Sequence, residues 1–400
     1  LALLGAGADA VPVIEALDQA GLLVRLLPEW ERVRCKPQRN PVHRFTVDRH
    51  LVEAATRAAA LTRHVARPDL LLLGALLHDI GKGWPGDHTD AGVAVVPAIA
   101  VRLGLPPPDV DVLVTLVRHH LLLPDTATRR DLDDPATPQL VADAVADRGT
   151  LELLHALTEA DALATGPAAW GDWKAGLVAN LVRRAAAVLV GVPVEASDGL
   201  DEAQRSLAAR GELAVHVDGD RVTVVAPDRP GLLWRWAGVL SLNRLTIRAA
   251  TATSLGPTAV TVFNVTPRFG SAPDWDRLRA DVRRAYDDAI PLAAHLAERE
   301  RAYATESDHA VPARVLWDDS ASQHSSVVEV RAHDSVGLLY RLTRALADLG
   351  LDVRSARMST LGAEVVDAFY VVDADGRPID DVDHRSGIEH ALLTACRPAS

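Results

Sequence analysis

Two cysteines, Cys35 and Cys396, lie far apart in a chain of 400 residues, which excludes a disulfide framework and fits a reducing compartment. No apolar run approaches the about 18 residues that a membrane helix needs, and no basic-then-apolar leader is present. A cytoplasmic protein without membrane contact is therefore expected. Positive charge is short as well: the formal net charge is -12, which argues against nonspecific nucleic-acid binding, since that depends on neutralising phosphates. Lysine occurs only at Lys36, Lys82 and Lys174, beside abundant arginine. In such a chain a lysine placed directly after a polar turn is a candidate for chemistry. What is present, 48% hydrophobic and 24% charged residues, is the composition of a globular protein with several separate cores.

The centre of the pattern is Leu70 to Gly83, LLLLGALLHDIGKG. Its first half reads as a helix buried in its own domain. At the inner end, just before Gly81 and Gly83, stand His78 and Asp79. An imidazole and a carboxylate there are costly to bury unless something satisfies both, and a divalent metal does so. For an isolated pair, a core histidine hydrogen-bonded to its neighbour is the favoured reading, and the rest of the chain has to decide.

Residues 1–30 carry helical periodicity and read as a connecting segment, and 36–41 as an irregular loop with two prolines. HRFTVDRH (43–50) opens a helix that carries His50. Gly86-Asp87-His88 starts another, and Pro106-Pro107-Pro108 precedes a helix bearing Arg118-His119-His120. A polar loop, 125–131, holds Arg129 and Arg130, and a long helix near 150–165 brings in Asp161. Helices dominate to about Val190, with a linker over Gly191–Gly199.

From about 212 the pattern becomes alternating, with a hairpin turning at Asp218-Gly219-Asp220. Asp228-Arg229-Pro230-Gly231-Leu232-Leu233 and Asp334-Ser335-Val336-Gly337-Leu338-Leu339 repeat D-x-x-G-L-L at a strand-to-helix turn, 106 residues apart (334 − 228). This is an internal repeat of βαββαβ type. The expected organisation is a connecting segment 1–30, an all-α bundle 31–197, and two βαββαβ ferredoxin-like domains at 212–318 and 326–400.

His50, His78, Asp79, His88, His119, His120 and Asp161 all fall on or at the ends of successive helices, and could converge in the middle of a bundle, where bundles place metals. His50, His78, Asp79 and Asp161 could hold one ion, with Asp79, His88 and His119 or His120 near a second. Nitrogen and oxygen ligands without cysteine allow Mn, Fe, Zn, Co or Mg. A metal pair activates water and stabilises both oxygens of a phosphoester displacement. Lys82, Arg129 and Arg130 would oppose developing phosphate charge, with Asp79 the ligand shared between ions. A solvated loop accounts for the two arginines as readily.

These motifs resemble the HD superfamily of metal-dependent phosphohydrolases. More narrowly, HRFTVDRH, LLHDIGKG, GDHTDAG, LVRHHL, TATRRD and TEADALAT resemble the uridylyl-removing domain of bifunctional PII uridylyltransferase/uridylyl-removing enzymes, and the D-x-x-G-L-L repeats resemble their tandem ACT domains. The resemblance implies metal positions at His50, His78, Asp79 and Asp161, with His88, His119 and His120 on further polar positions. It implies Mn²⁺ or Mg²⁺ as cofactor and Fe²⁺, Zn²⁺ or Co²⁺ as alternatives. The implied substrate is nucleotidylylated PII, the effector glutamine, and copies associate through the ACT domains. The family's nucleotidyltransferase domain carries a G-S-x-A-R-type turn with paired aspartates, and nothing in residues 1–49 matches it. The chain, which opens at Leu1, thus reads as a fragment or a short form without transferase chemistry.

At each repeat turn the glycine permits close backbone approach at a helix N-terminus, where free N–H groups can hold a carboxylate. The candidate glutamine contacts are Asp228, Gly231, Leu232, Asp334, Gly337 and Leu338. The second copy is the better candidate, because its turn lacks the proline of the first. The expected activity is removal of UMP or AMP from a tyrosine of PII. Two rivals remain: an HD hydrolase of a free nucleotide such as guanosine tetraphosphate, and a non-enzymatic ACT sensor that binds PII.

Overall fold

The computed structural model describes residues 1–38, 43–132, 134–166, 169–192, 200–268, 272–303, 312–319, 321–322, 324–361 and 364–397. Most of the expected linker, from 193 to 199, lies outside them, as do 39–41 of the proline-bearing loop and the expected boundary at 197. The chain divides into two compact units, Leu1–Glu195 and Ala196–Ser400.

In the first unit every described element is helical. The helix Pro68–Leu77 begins with proline at its first turn, where no N–H partner is lost, and buries Leu70 to Leu73 all round. It packs on Val47–Leu61, Pro107–His119 and Arg148–Thr165. Asp147 caps the last of these by accepting from the Thr150 amide, and Asp87 caps His88–Arg102 by accepting from Thr89 and Asp90. Residues 1–30 do more than connect: Leu4, Ala10, Ile14, Leu27 and Trp30 are buried in the bundle core. The stretch read as a polar loop is mostly a helix, Leu122–Arg129, because Leu123, Thr126 and Ala127 recur at helical spacing and are buried.

The second unit holds one eight-stranded sheet of β1 (Ala214–Asp218), β2 (Arg221–Pro227), β3 (Leu245–Leu255), β4 (Thr258–Pro267), β5 (Arg314–Trp317), β6 (Ser326–His333), β7 (Asp352–Leu361) and β8 (Glu364–Val372). The order is β1-β2-β4-β3-β7-β8-β6-β5, and every described pairing is antiparallel. The fold class holds, with one change in connectivity. Each copy runs ββαββα, since β5, which follows the helices of the first copy, pairs with β6 of the second. The two copies meet where Ala250 of β3 faces Ala356 of β7, positions 106 residues apart. Two helices, Trp275–Tyr286 and Leu292–Tyr303, follow β4 and are separated at Pro291, which cannot donate a helical hydrogen bond. Among the described residues, no helix is long and apolar enough to cross a membrane.

Candidate functional site

His78 takes the C-terminal cap position of the leucine-rich helix, and Asp79 leaves the helical conformation immediately after it. The chain then makes a tight turn over Ile80–Gly83 against the start of His88–Arg102. A β-carbon on Gly81 would overlap the carbonyl oxygen of His88 and the amide nitrogen of Gly92, so only glycine permits this crossing. Five helices thereby converge. His50 Nε2 lies 3.0 Å from Asp161 Oδ1 and 3.3 Å from His78 Nε2. His78 Nε2 is 3.5 Å from both Asp79 Oδ2 and Asp161 Oδ1. On the other side, His88 Nε2 and His120 Nε2 each lie 3.6 Å from Asp79 Oδ1.

Three donor sets, His43/His50/Asp79, His50/His78/Asp161 and Asp79/His88/His120, each have their atoms within 4.8 Å of one another. Asp79 faces one group through each carboxylate oxygen, and its Oδ1 is buried with no hydrogen-bond partner among the described residues. An orphaned buried carboxylate oxygen between two imidazole nitrogens fits a metal ion. The rings are turned for this. His78 Nδ1 hydrogen-bonds the Ala75 carbonyl at 2.9 Å and His120 Nδ1 that of Val117 at 2.7 Å. With Nδ1 on the carbonyl, Nε2 is the ring nitrogen that faces the acids and would serve a metal.

The electrostatics follow from packing charges in a dry place. Burial alone would raise the carboxyls of Asp79 and Asp161, but His78 outweighs it for both, with help from Lys82 for Asp79 and from His50 for Asp161, and holds them well below the usual range. Burial would likewise neutralise His78, yet the same two carboxylates lift it to about 10. His43 goes the other way: burial, then the charge of Lys82, lower it to about 4, so it is neutral near pH 7.

The cluster opens into a cavity of about 770 Å³ lined by Lys36, Gln38, His43, Asp79, Lys82, Trp84, His88, His120 and Asp161 among others. Lys82 Nζ sits 2.5 Å from Asp79 Oδ2 and donates to Gln38 Oε1 at 3.1 Å. His120, not His119, joins the site. Adjacent helical residues point about 100° apart, so only one of the pair can face inward. His119 is half-buried elsewhere, its imidazole lowered by burial and by Arg118. Arg129, paired with Asp125 at 3.8 Å, and Arg130 are not among the cavity-lining residues. The sequence reading missed His43, which precedes its helix and so escapes helical periodicity. It also passed over Lys36 on the cavity wall and Lys174, which feels the charge of Asp125 and Asp161. Lysine scarcity was the signal that marked the two lysines.

In the second unit, Gly231 and Gly337 both adopt positive φ, 83° and 74°, as N-caps of Leu232–Leu242 and Leu338–Asp348. Asp228 accepts from Ser254 Oγ at 2.7 Å. Asp228, Gly231 and Leu232 line a cavity of about 580 Å³ together with Arg354 and Asp373. Asp334, Gly337 and Leu338 line one of only about 60 Å³. The roomier site lies at the first copy, opposite to the preference drawn from the turn sequences.

The HD domain family matches residues 47–166 and the ACT domain family matches residues 326–382. Among curated proteins, the bifunctional uridylyltransferase/uridylyl-removing enzyme of Streptomyces coelicolor is 47% identical over 98% of this chain and 54% of its own length. That of Mycobacterium tuberculosis is 44% identical over 98% of the chain and 50% of its length. The Gluconobacter oxydans enzyme is 32% identical over 98% and 49%. The chain spans about half the length of the curated relatives it matches. It is an HD- and ACT-domain protein, homologous along that half to the bifunctional uridylyltransferase/uridylyl-removing enzymes.

Proposed function

We propose that the first unit hydrolyses the nucleotidyl–tyrosine phosphodiester of PII, releasing UMP or AMP, and that glutamine acts through the ACT repeat. The observation that carries this reading is Asp79, placed between two histidine groups on the wall of an open cavity. His50, His78, Asp79 and Asp161 would hold one divalent ion, and Asp79, His88 and His120 a second, Mn²⁺ or Mg²⁺ by the resemblance. A bound ion supplies hydroxide near neutral pH and a counter-charge for the phosphoryl oxygens. Asp79 and Asp161, held ionised by their neighbours, keep the ligand set anionic. Lys82, anchored by Asp79 and Gln38, presents its ammonium to the cavity, where it offsets charge gathering on the phosphate. Lys36 lines the same wall and adds to that field. We assign no substrate contact to Arg129 or Arg130.

At the first repeat turn, amide groups of the Leu232–Leu242 helix and Arg354 suit a carboxylate, and Asp228 and Asp373 suit an ammonium, the two ends of an amino acid. A cytoplasmic location and association of copies through the ACT domains accompany this reading. The test is incubation of the chain with uridylylated and adenylylated PII, Mn²⁺ and glutamine. Release of UMP or AMP, raised by glutamine, is expected. Turnover of free nucleotides such as guanosine tetraphosphate, with none on modified PII, would replace this reading.

A further inference from the structure

We infer that the repeat carries one roomy effector site, at the first D-x-x-G-L-L turn, and that its counterpart at the second turn is filled by this chain's own side chains. The inference rests on the reading of the repeat as an amino-acid sensor and specifies which turn does the sensing.

The two cavities are built from equivalent positions. Asp228 and Asp334, and Gly231 and Gly337, are 106 residues apart, and so are Ala250 and Ala356 where the copies pair. The same offset relates wall to wall. Where the first cavity has Ala252, Ala259 and Thr261, the second has Met358, Val365 and Asp367. The remaining wall of each comes from the other copy, and there Ala374 of the first cavity corresponds to Arg268 of the second.

Every one of these four exchanges puts a larger or charged side chain in the second cavity. The result is about 60 Å³ of space against about 580 Å³. The smaller volume has room for little more than a water molecule or two, whose share of liquid is about 30 Å³ each. The lining differs in chemistry as well as size. Thr261, 2% exposed, lines the first cavity with a neutral hydroxyl. Its counterpart Asp367, 3% exposed, lines the small cavity beside Asp334 in place of that hydroxyl.

Ala252 and Ala259 are thus the residues that decide specificity between the two turns. In calorimetry on the full chain with L-glutamine, we expect one molecule bound per chain. Ala252→Met with Ala259→Val, which installs the second site's wall in the first, should weaken binding at least about tenfold. Met358→Ala should leave the affinity within about twofold of the parent. Two equal sites, or binding that survives the first change and is lost with the second, overturns the inference.

A ligand-independent arm separates this from the glutamine reading. In a Cys35→Ser background, with Cys396 as the common reference, the thiol of Ala252→Cys should react with a small alkylating reagent about tenfold or more faster than that of Met358→Cys. Equal rates overturn the assignment of one roomy and one filled site. Unequal rates in a chain that binds no glutamine uphold it and reject glutamine as the effector.

Discussion

Gly81 lies against the carbonyl oxygen of His88 so closely that no β-carbon fits between them. This crossing brings the start of the His88–Arg102 helix to the turn after Asp79, and with it His88 Nε2 to 3.6 Å from Asp79 Oδ1. The obstacle is backbone on both sides, which cannot rotate away. Gly81→Ala should therefore destabilise the first unit by about 1–3 kcal/mol and displace His88 from the ligand set. Denaturant unfolding and metal content measure both effects. A variant with parental stability and full metal occupancy would show that the crossing is looser than described.

Among the described residues, Asp79 is the one carboxylate that stands in two donor sets, with His43 and His50 in one and with His88 and His120 in another. Asp79→Ala should abolish hydrolysis of modified PII and the binding of metal, while helical content by circular dichroism stays near that of the parent. The buried leucines of Pro68–Leu77, not the carboxylate, hold that helix in place. Turnover retained in a metal-replete assay would sink the assignment.

Lys82 faces the cavity within reach of Asp79, but it is not a metal ligand. Lys82→Ala should lower the hydrolytic rate by roughly 10²-fold, as for other lost charge-stabilising donors, with metal content unchanged. A near-parental rate would return Lys82 to the role of a counter-ion for Asp79 alone.

Asp367 supplies a pH test in the second unit. Burial and, next, the charge of Asp334 raise its carboxyl well above the ordinary value. Because the folded value is the higher one, this group's contribution is most favourable below the unfolded value of about 3.9 and is lost as pH rises toward the folded value. Asp367→Asn should therefore stabilise the second unit near neutral pH, by roughly 1–3 kcal/mol if an unpaired buried group is relieved, with the difference vanishing near pH ~4. Thermal unfolding across that range reads it directly. Parallel stability curves for parent and variant would mean that Asp367 is ionised and compensated.

The sequence by itself determined what depends on local pattern. The all-round leucine run required a buried helix, and its His78-Asp79 end required a partner for two polar groups. Ordered histidines and aspartates at helix spacing marked His50, His88 and Asp161, and the 106-residue repeat of D-x-x-G-L-L marked a duplicated sheet-and-helix fold. Tertiary structure decided what depends on where separate segments meet. It chose His120 over His119, because the burial of Leu113, Leu116 and Val117 fixes the rotation of their helix. It added His43 and Lys36 from a segment without periodicity. It gave the edge strand β5 to the second copy, since hydrogen-bond partners across a sheet are not encoded by strand order. It also made the two repeat turns unequal. Their sequences are alike, but the space beside each is set by side chains contributed from neighbouring strands and from the other copy, and only packing reveals that volume.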